Sequence, residues 1–174
     1  MSHRAYLTLG SNVDPERNLS AGLALLRPHG LAAASSVYET AAVGTCEGLP
    51  FLNAAVMVIT DHPPEEFKLG VCRRIEAQLG RVRDPGDKFA PRTIDLDIAL
   101  WDDAVLDVQG SPVPDPDILR HLYVARPLAD LAPDLVHPVD GRTLAEIAAA
   151  LAASAPQAGL PKLRVGLTGW DLLC

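Results

Sequence analysis

Apolar residues recur along this chain with two different periods. In Arg4–Leu9 they crowd into a short run that ends at Gly10-Ser11-Asn12, which predicts a first strand closed by turn chemistry. Leu19, Leu23 and Leu26 then recur at i, i+4 and i+7, the spacing of one helical face. Asp14 is placed to cap that helix, Pro15 suits its first turn, and Gly30 ends it after about His29. Leu31–Tyr38 reads as a second strand and Asn53–Thr60 as a third. The third is apolar on both faces and is expected at the centre of a sheet. Pro63 and Pro64 open a second helix whose buried stripe is Phe67, Val71, Ile75 and Leu79, with Gly80 closing it. After a charged loop over 80–93, Ile94–Trp101 is a fourth strand. Val105–Leu106 and Val113 suggest a small hairpin across Gly110, Arg126–Leu131 and Thr143–Ala153 two more helices, and Leu163–Leu167 a last strand. The core order β-α-β-β-α-β predicts a ferredoxin-like α+β fold, with helices on one face of the sheet and C-terminal additions. One domain over 1–174 is expected, its tail from about 156 having no assigned role.

Composition narrows the function classes. The apolar fraction is 48% and the charged fraction 21%, which excludes wholesale disorder. Neither a signal peptide nor a membrane-length apolar run is evident. Three scattered cysteines, Cys46, Cys72 and Cys174, make neither a zinc pattern nor a disulfide framework, so a cytoplasmic protein is expected. The net charge of −7 argues against a nucleic-acid partner. Yet residues 73–92 hold six of the fifteen Lys and Arg residues, a local cation cluster suited to phosphate.

The chemistry concentrates in Pro91-Arg92-Thr93-Ile94-Asp95-Leu96-Asp97-Ile98. Side chains alternate along a strand, so Ile94, Leu96, Ile98 and Leu100 are expected to share the core face. Asp95 and Asp97 then share the other. Two carboxylates at i and i+2 repel unless a cation relieves them, and all-oxygen ligands suit Mg²⁺ with substrate phosphates. An arbitrary D-x-D is usually a solvated strand face. Here Arg81, Arg83, Lys88 and Arg92 crowd beside the pair, as a polyphosphate requires. No G-x-x-x-x-G-K-[ST] or G-x-G-x-x-G is present. Phe51 before Asn53 could stack and hydrogen-bond a flat heterocycle, although such residues are more often core and turn positions.

Taken together, the motifs resemble the 6-hydroxymethyl-7,8-dihydropterin pyrophosphokinase family of folate biosynthesis. The matching segments are Leu9-Gly10-Ser11-Asn12, Ser36-Val37-Tyr38-Glu39-Thr40 with Gly44, Phe51-Leu52-Asn53-Ala54, and Ile75-Glu76 with Gly80-Arg81-Val82-Arg83. They continue with P-R-T-I-D-L-D at 91–97, Val113-Pro114 and Pro127-Leu128, in the family's order over about 4–140. The resemblance implies an Mg²⁺-dependent transfer of pyrophosphate from ATP to the pterin's hydroxymethyl oxygen, releasing AMP. It implies two Mg²⁺ ions on Asp95 and Asp97, and phosphates held by Arg81 and Arg92 with Arg83 and Lys88 on a mobile loop. Glu76 and Ile98 would lie near the nucleoside. Thr40, Val43 and Gly44 would meet the pterin, Asn53 its edge, and Phe51 and Tyr123 its two faces. Asp95 would also border the pterin.

Some positions depart from the family. Ala42 stands for a usual proline, Asp115 for a common histidine, His121 for an arginine that Arg120 could replace, Arg73 for a glutamine and Phe89 for a tryptophan. The expected partners are ATP and the pterin alone, with the protein a monomer. Two rival readings are a D-x-D sugar-nucleotide transferase and a ferredoxin-like binding module without activity. The short chain opposes the first, and the intact Asp95, Asp97, Arg81 and Arg92 oppose the second.

Overall fold

A computed structural model describes residues 1–41, 50–82, 92–156 and 160–168. Its strands are β1 (His3–Ser11), β2 (Leu31–Ala34), β3 (Ser36–Thr40), β4 (Phe51–Thr60), β5 (Asp95–Trp101), β6 (Leu106–Val108), β7 (Ser111–Val113) and β8 (Lys162–Thr168). The α-helices are α1 (Pro15–Leu26), α2 (Pro64–Phe67), α3 (Arg73–Gln78), α4 (Leu122–Leu131) and α5 (Leu144–Ser154). Among the described residues the main sheet has six strands in the order β5-β1-β4-β3-β8, with β2 also paired to β4. All of its pairings are antiparallel. Counting β2 and β3 as one split strand, the first four positions reproduce the expected ferredoxin-like order. The long apolar β4 is central, held between β1 and β2–β3. Among the described residues no helix is long and apolar enough to cross a membrane.

Alternation sorts the sheet into two faces. Leu7, Leu9, Leu52, Ala54, Val56, Leu96 and Ile98 join Leu19, Leu23, Leu26, Phe67, Val71 and Ile75 in one buried cluster. Tyr6, Ala55 and Ala99 face the other way and meet Val124, Ala125 and Leu128 of α4 and Leu144 and Ile147 of α5. Helices therefore cover both faces, not one. The first face is the ferredoxin-like core, and the later elements supply the second layer. α5 is started by a reciprocal cap: the Thr143 hydroxyl accepts from the Glu146 N–H, and the Glu146 carboxylate accepts from the Thr143 N–H.

Four local expectations are corrected. Leu31–Tyr38 is two strands, because the Ser35 side chain steps into the ladder: its Oγ accepts from the Ala55 N–H while its own N–H donates to the Ala55 carbonyl. Leu100 does not share a face with Ile98. A bulge where Tyr6 and Leu7 meet β5 gives Leu100 to the second cluster and Trp101 to the first. Asp14 precedes α1 in a left-handed conformation (φ 40°), and its side chain makes no capping bond. The second helix is interrupted by a π turn, Lys68–Cys72, between α2 and α3. The Gly30 stop is as expected. At φ +92°, a Cβ there would lie 1.9 Å from the Ile59 carbonyl oxygen, so only glycine lets β2 turn in beside β4.

Candidate functional site

At one end of the second face, three strands present polar residues, a glycine and one aromatic ring outside both buried clusters. β1 contributes Thr8 and Gly10, β4 Phe51 and Asn53, and β5 Asp95 and Asp97. Gly10 pairs with Asn53 on one side and Asp95 on the other, so its missing side chain leaves a floor between them. Asn53 Nδ2 donates to Thr40 Oγ1 at 2.9 Å, which fixes the amide against β3. These residues line a cavity of about 360 Å³ together with Asn12, Ala41, Arg92, Asp115, Asp117, His121 and Tyr123. Phe51 belongs to neither buried cluster, so its ring serves the cavity and not the core. The His121 ring stacks on Tyr123 with centroids 5.0 Å apart.

Asp95 is held by two guanidinium groups. Arg92 Nη1 donates to its Oδ2 at 2.7 Å, and Arg81 Nη2 lies 3.3 Å from its Oδ1. Arg92 is itself placed by the first turn of the chain. Its N–H donates to Asn12 Oδ1, its carbonyl accepts from the Asn12 N–H, and Ser11 Oγ donates to the Thr93 carbonyl. The Arg81 side chain is only 9% exposed, and its Nε and Nη1 are buried with no acceptor among the described residues. A guanidinium stays charged, and unmet buried donors are costly, so this group suits an arriving anion.

β5 is an edge strand, and its outward backbone groups are met by side elements. Glu76 Oε1 accepts from the Leu96 N–H at 3.0 Å, and Asp115 N–H donates to the Ala99 carbonyl. The same contacts gather carboxylates. Burial, then the nearby charges of Asp95 and Asp115, push the Asp97 carboxyl up to about 6. Burial likewise raises Glu76, to about 7, against the Leu96 hydrogen bond that lowers it. Among the described residues no group of three or more His, Cys, Asp or Glu could hold a metal by itself. Two crowded carboxylates on one strand face do fit Mg²⁺, which keeps waters and substrate phosphates as its other ligands.

A second cavity of about 240 Å³ adjoins the first. Lys68, Asp97, Ile98, Val108, Ser111, Pro112 and Val113 line it, and Asp97, Asp115 and Asp117 border both cavities.

Most of the residues singled out in the sequence that are described here converge. Thr40, Phe51, Asn53, Arg92, Asp95, Asp97 and Tyr123 meet at the first cavity, Arg81 contacts Asp95, and Ile98 lines the second cavity. Two do not reach either. Glu76 is 2% exposed and works behind β5 as the acceptor for Leu96, with Arg73 on its other oxygen. Arg120 stands on the surface, 3.8 Å from Asp117. Val43, Gly44, Arg83 and Lys88 lie outside the described residues, as do Ala42, Phe89 and residues 83–91 of the 81–91 loop expected to move. Sequence reading missed the roles of Asn12 and Ser11, although their motif was visible. It also missed Lys68, which carries no local signal.

Comparison with known proteins places the chain in context. The profile of the family described as 7,8-dihydro-6-hydroxymethylpterin-pyrophosphokinase (HPPK) matches residues 6–133. A Bacillus subtilis protein named 2-amino-4-hydroxy-6-hydroxymethyldihydropteridine pyrophosphokinase is 38% identical over 135 residues, 75% of this chain and 79% of its own. A Pseudomonas aeruginosa protein of the same name is 38% identical over 154 residues, 86% of this chain and 93% of its own. Among solved structures, Plasmodium falciparum HPPK-DHPS with pteroate superposes with a TM-score of 0.69 at 14% identity, over 88% of this chain and 45% of that one. At that identity the last likeness speaks for the fold.

Proposed function

We propose, for a chain that belongs to the 7,8-dihydro-6-hydroxymethylpterin-pyrophosphokinase family, that it transfers pyrophosphate from ATP to the hydroxymethyl group of 6-hydroxymethyl-7,8-dihydropterin, giving AMP. The observation that carries this reading is the position of Asp97, which borders both cavities at once. The first cavity, with an aromatic on β4, another on α4 and the Asn53 amide between strands, suits a flat heterocycle with a hydrogen-bonding edge. The second, bordered by Ile98 and the β6–β7 hairpin, suits the nucleoside. The phosphates then lie across the Asp95–Asp97 boundary, where one substrate can meet the other.

The chain's own contribution is positional and electrostatic. Asn53 and Thr40 orient the pterin so that its hydroxymethyl oxygen points toward β5. That oxygen attacks the β-phosphorus of ATP and gives up its proton to solvent, the bond from that phosphorus to the oxygen of the α-phosphate breaks, and AMP leaves with the bridging oxygen. Arg81 and Arg92 hold the charge of the transferring group, and Arg81 has two donors that meet no acceptor among the described residues. Asp95 and Asp97 would hold Mg²⁺, which when bound neutralises charge on the phosphate oxygens. No strong base is required if the two substrates are held in line.

Incubation with ATP, Mg²⁺ and the pterin alcohol, followed by chromatography of the nucleotides, tests this. AMP that appears only when the pterin is present is the expected result. Stoichiometric ADP would mean a single phosphoryl transfer and would overturn the reading.

A further inference from the structure

The buried positions of the second helix are Phe67, Lys68, Val71, Cys72, Ile75 and Glu76. They recur every four residues, as two adjacent stripes. On an α-helix of 3.6 residues per turn, four residues over-rotate by about 40°, so such stripes would spiral away from the sheet. The π turn at Lys68–Cys72 widens the helix at that point and keeps both stripes inward. One consequence is a lysine only 3% exposed. Its Nζ donates to the Val108 carbonyl at 3.2 Å and to Ser111 Oγ. Those two residues belong to β6 and β7, whose hairpin forms a wall of the second cavity. Among the described residues lining that cavity, Lys68 is the one cation, facing Asp97, Asp115 and Asp117.

We propose that Lys68 is a positioning residue for the nucleotide. Its buried ammonium pins the β6–β7 hairpin as the wall of the second cavity and offsets the carboxylates there. It thereby sets nucleotide affinity and discrimination between bases while leaving the pterin side untouched. An ammonium suits the task because it donates to a carbonyl and a hydroxyl together and has a third proton left. A lysine is otherwise almost never this buried. The inference rests on the nucleoside occupying the second cavity.

Lys68→Met in the full chain keeps an unbranched side chain one atom shorter and removes its charge and donors. Titration with the Mg²⁺ complex of a non-hydrolysable ATP analogue is expected to show binding weakened by about 10- to 100-fold, the range for hydrogen bonds to a charged group. Pterin affinity should stay within about two-fold. The ratio of kcat/KM for ATP over GTP should fall, which a merely structural loss would not change. Ser111→Ala removes one partner alone and remains informative if the lysine variant fails to fold. It should weaken nucleotide binding by about 2- to 10-fold, and adding it to Lys68→Met should cost little more. A folded Lys68→Met protein with unchanged nucleotide affinity would overturn the proposal. So would equal losses for both ligands, or unchanged nucleotide affinity in Ser111→Ala. The titrations need no turnover, so an absence of AMP formation would sink the proposed reaction and leave Lys68 to be judged by binding.

Discussion

The two faces of this sheet are made by alternate residues of the same strands, and they differ in what covers them. On the first face Leu9, Leu52 and Leu96 are sealed under α1, α2 and α3 in one continuous buried cluster. On the second, α4 and α5 bury Tyr6, Ala55 and Ala99, and the end bearing Gly10, Asn53 and Asp97 is left as a cavity. A step of one residue along β5 therefore moves from a side chain that stabilises the fold to one that serves the site. At Leu96 and Asp97 stability and chemistry are separable because period-two alternation gives each face its own residues, whereas Ile98 joins the first cluster and also lines the second cavity.

The sharpest break in that comparison is Asp97→Ala. It is expected to abolish AMP formation while the thermal midpoint stays level or rises, because a crowded carboxylate is removed and no buried apolar group is lost. Near-normal Mg²⁺-dependent turnover would remove Asp97 from the site. Its neighbour gives the mirror experiment. Leu96→Ala, on the sealed face, should cost about 2–5 kcal/mol in denaturant unfolding. The folded fraction should keep its affinity for both substrates. A Leu96→Ala protein of wild-type stability with weakened pterin binding would erase the distinction between the faces.

A subtler case is Phe51→Ala. Half-buried in the cavity and outside both clusters, Phe51 should cost little stability. Stacking on an aromatic ring is worth about 1–3 kcal/mol, so pterin affinity should fall about 5- to 150-fold with ATP affinity unchanged. Calorimetry beside a thermal melt separates this from a core role, in which the midpoint would drop and both ligands would suffer.

The smallest effect concerns pH. Asp97 and Glu76 hold protons in the fold, at values near 6 and 7, that the unfolded chain releases near the ordinary carboxylate range. The folded state therefore binds more protons in this window. Their contribution to apoprotein stability is present below about pH 4 and is lost as pH rises toward 7. Each kcal/mol lost should lower the midpoint by about 2–4 °C for a chain of this size. His137, whose ring burial holds below its usual value, slopes the other way, so the comparison to make is with Asp97→Asn, which keeps His137. The wild type should lose more stability than Asp97→Asn between pH 4.5 and 7, and Mg²⁺ should reduce the difference. Parallel profiles would mean that Asp97 does not carry a raised value.

Much of this was legible along the chain because it depends on local order. The i, i+4, i+7 stripe of Leu19, Leu23 and Leu26 is a property of neighbours, and so is the Gly30 stop. The placing of Asp95 and Asp97 opposite Leu96 and Ile98 follows from two-residue alternation alone. The family motifs carried the rest of the site, including Arg81 and Arg92, which the structure brings to the same carboxylate. Where the reading failed, a partner distant in sequence decided the outcome. The bulge at β5 arises from pairing with β1, and it sends Leu100 and Trp101 to the faces opposite those that alternation predicts. The bond from the Leu96 N–H to Glu76 was not legible along the chain either, because that outer edge of β5 exists only once the sheet is assembled.

What the sequence determined by itself is the main elements, their order, and the carboxylate pair with Arg81 and Arg92, since each is encoded within a few residues by spacing and residue type. Only the tertiary structure decided how those elements share their surfaces. It put α4 and α5 on the second face and stopped them short of Gly10 and Asn53. It set Asp97 on the border of two cavities and turned Lys68 inward through a π turn. These outcomes depend on contacts between segments tens of residues apart, where burial and hydrogen-bond satisfaction are settled collectively. A lysine at position 68 reads as a solvated surface residue until the hairpin it holds, forty residues away, is folded beside it.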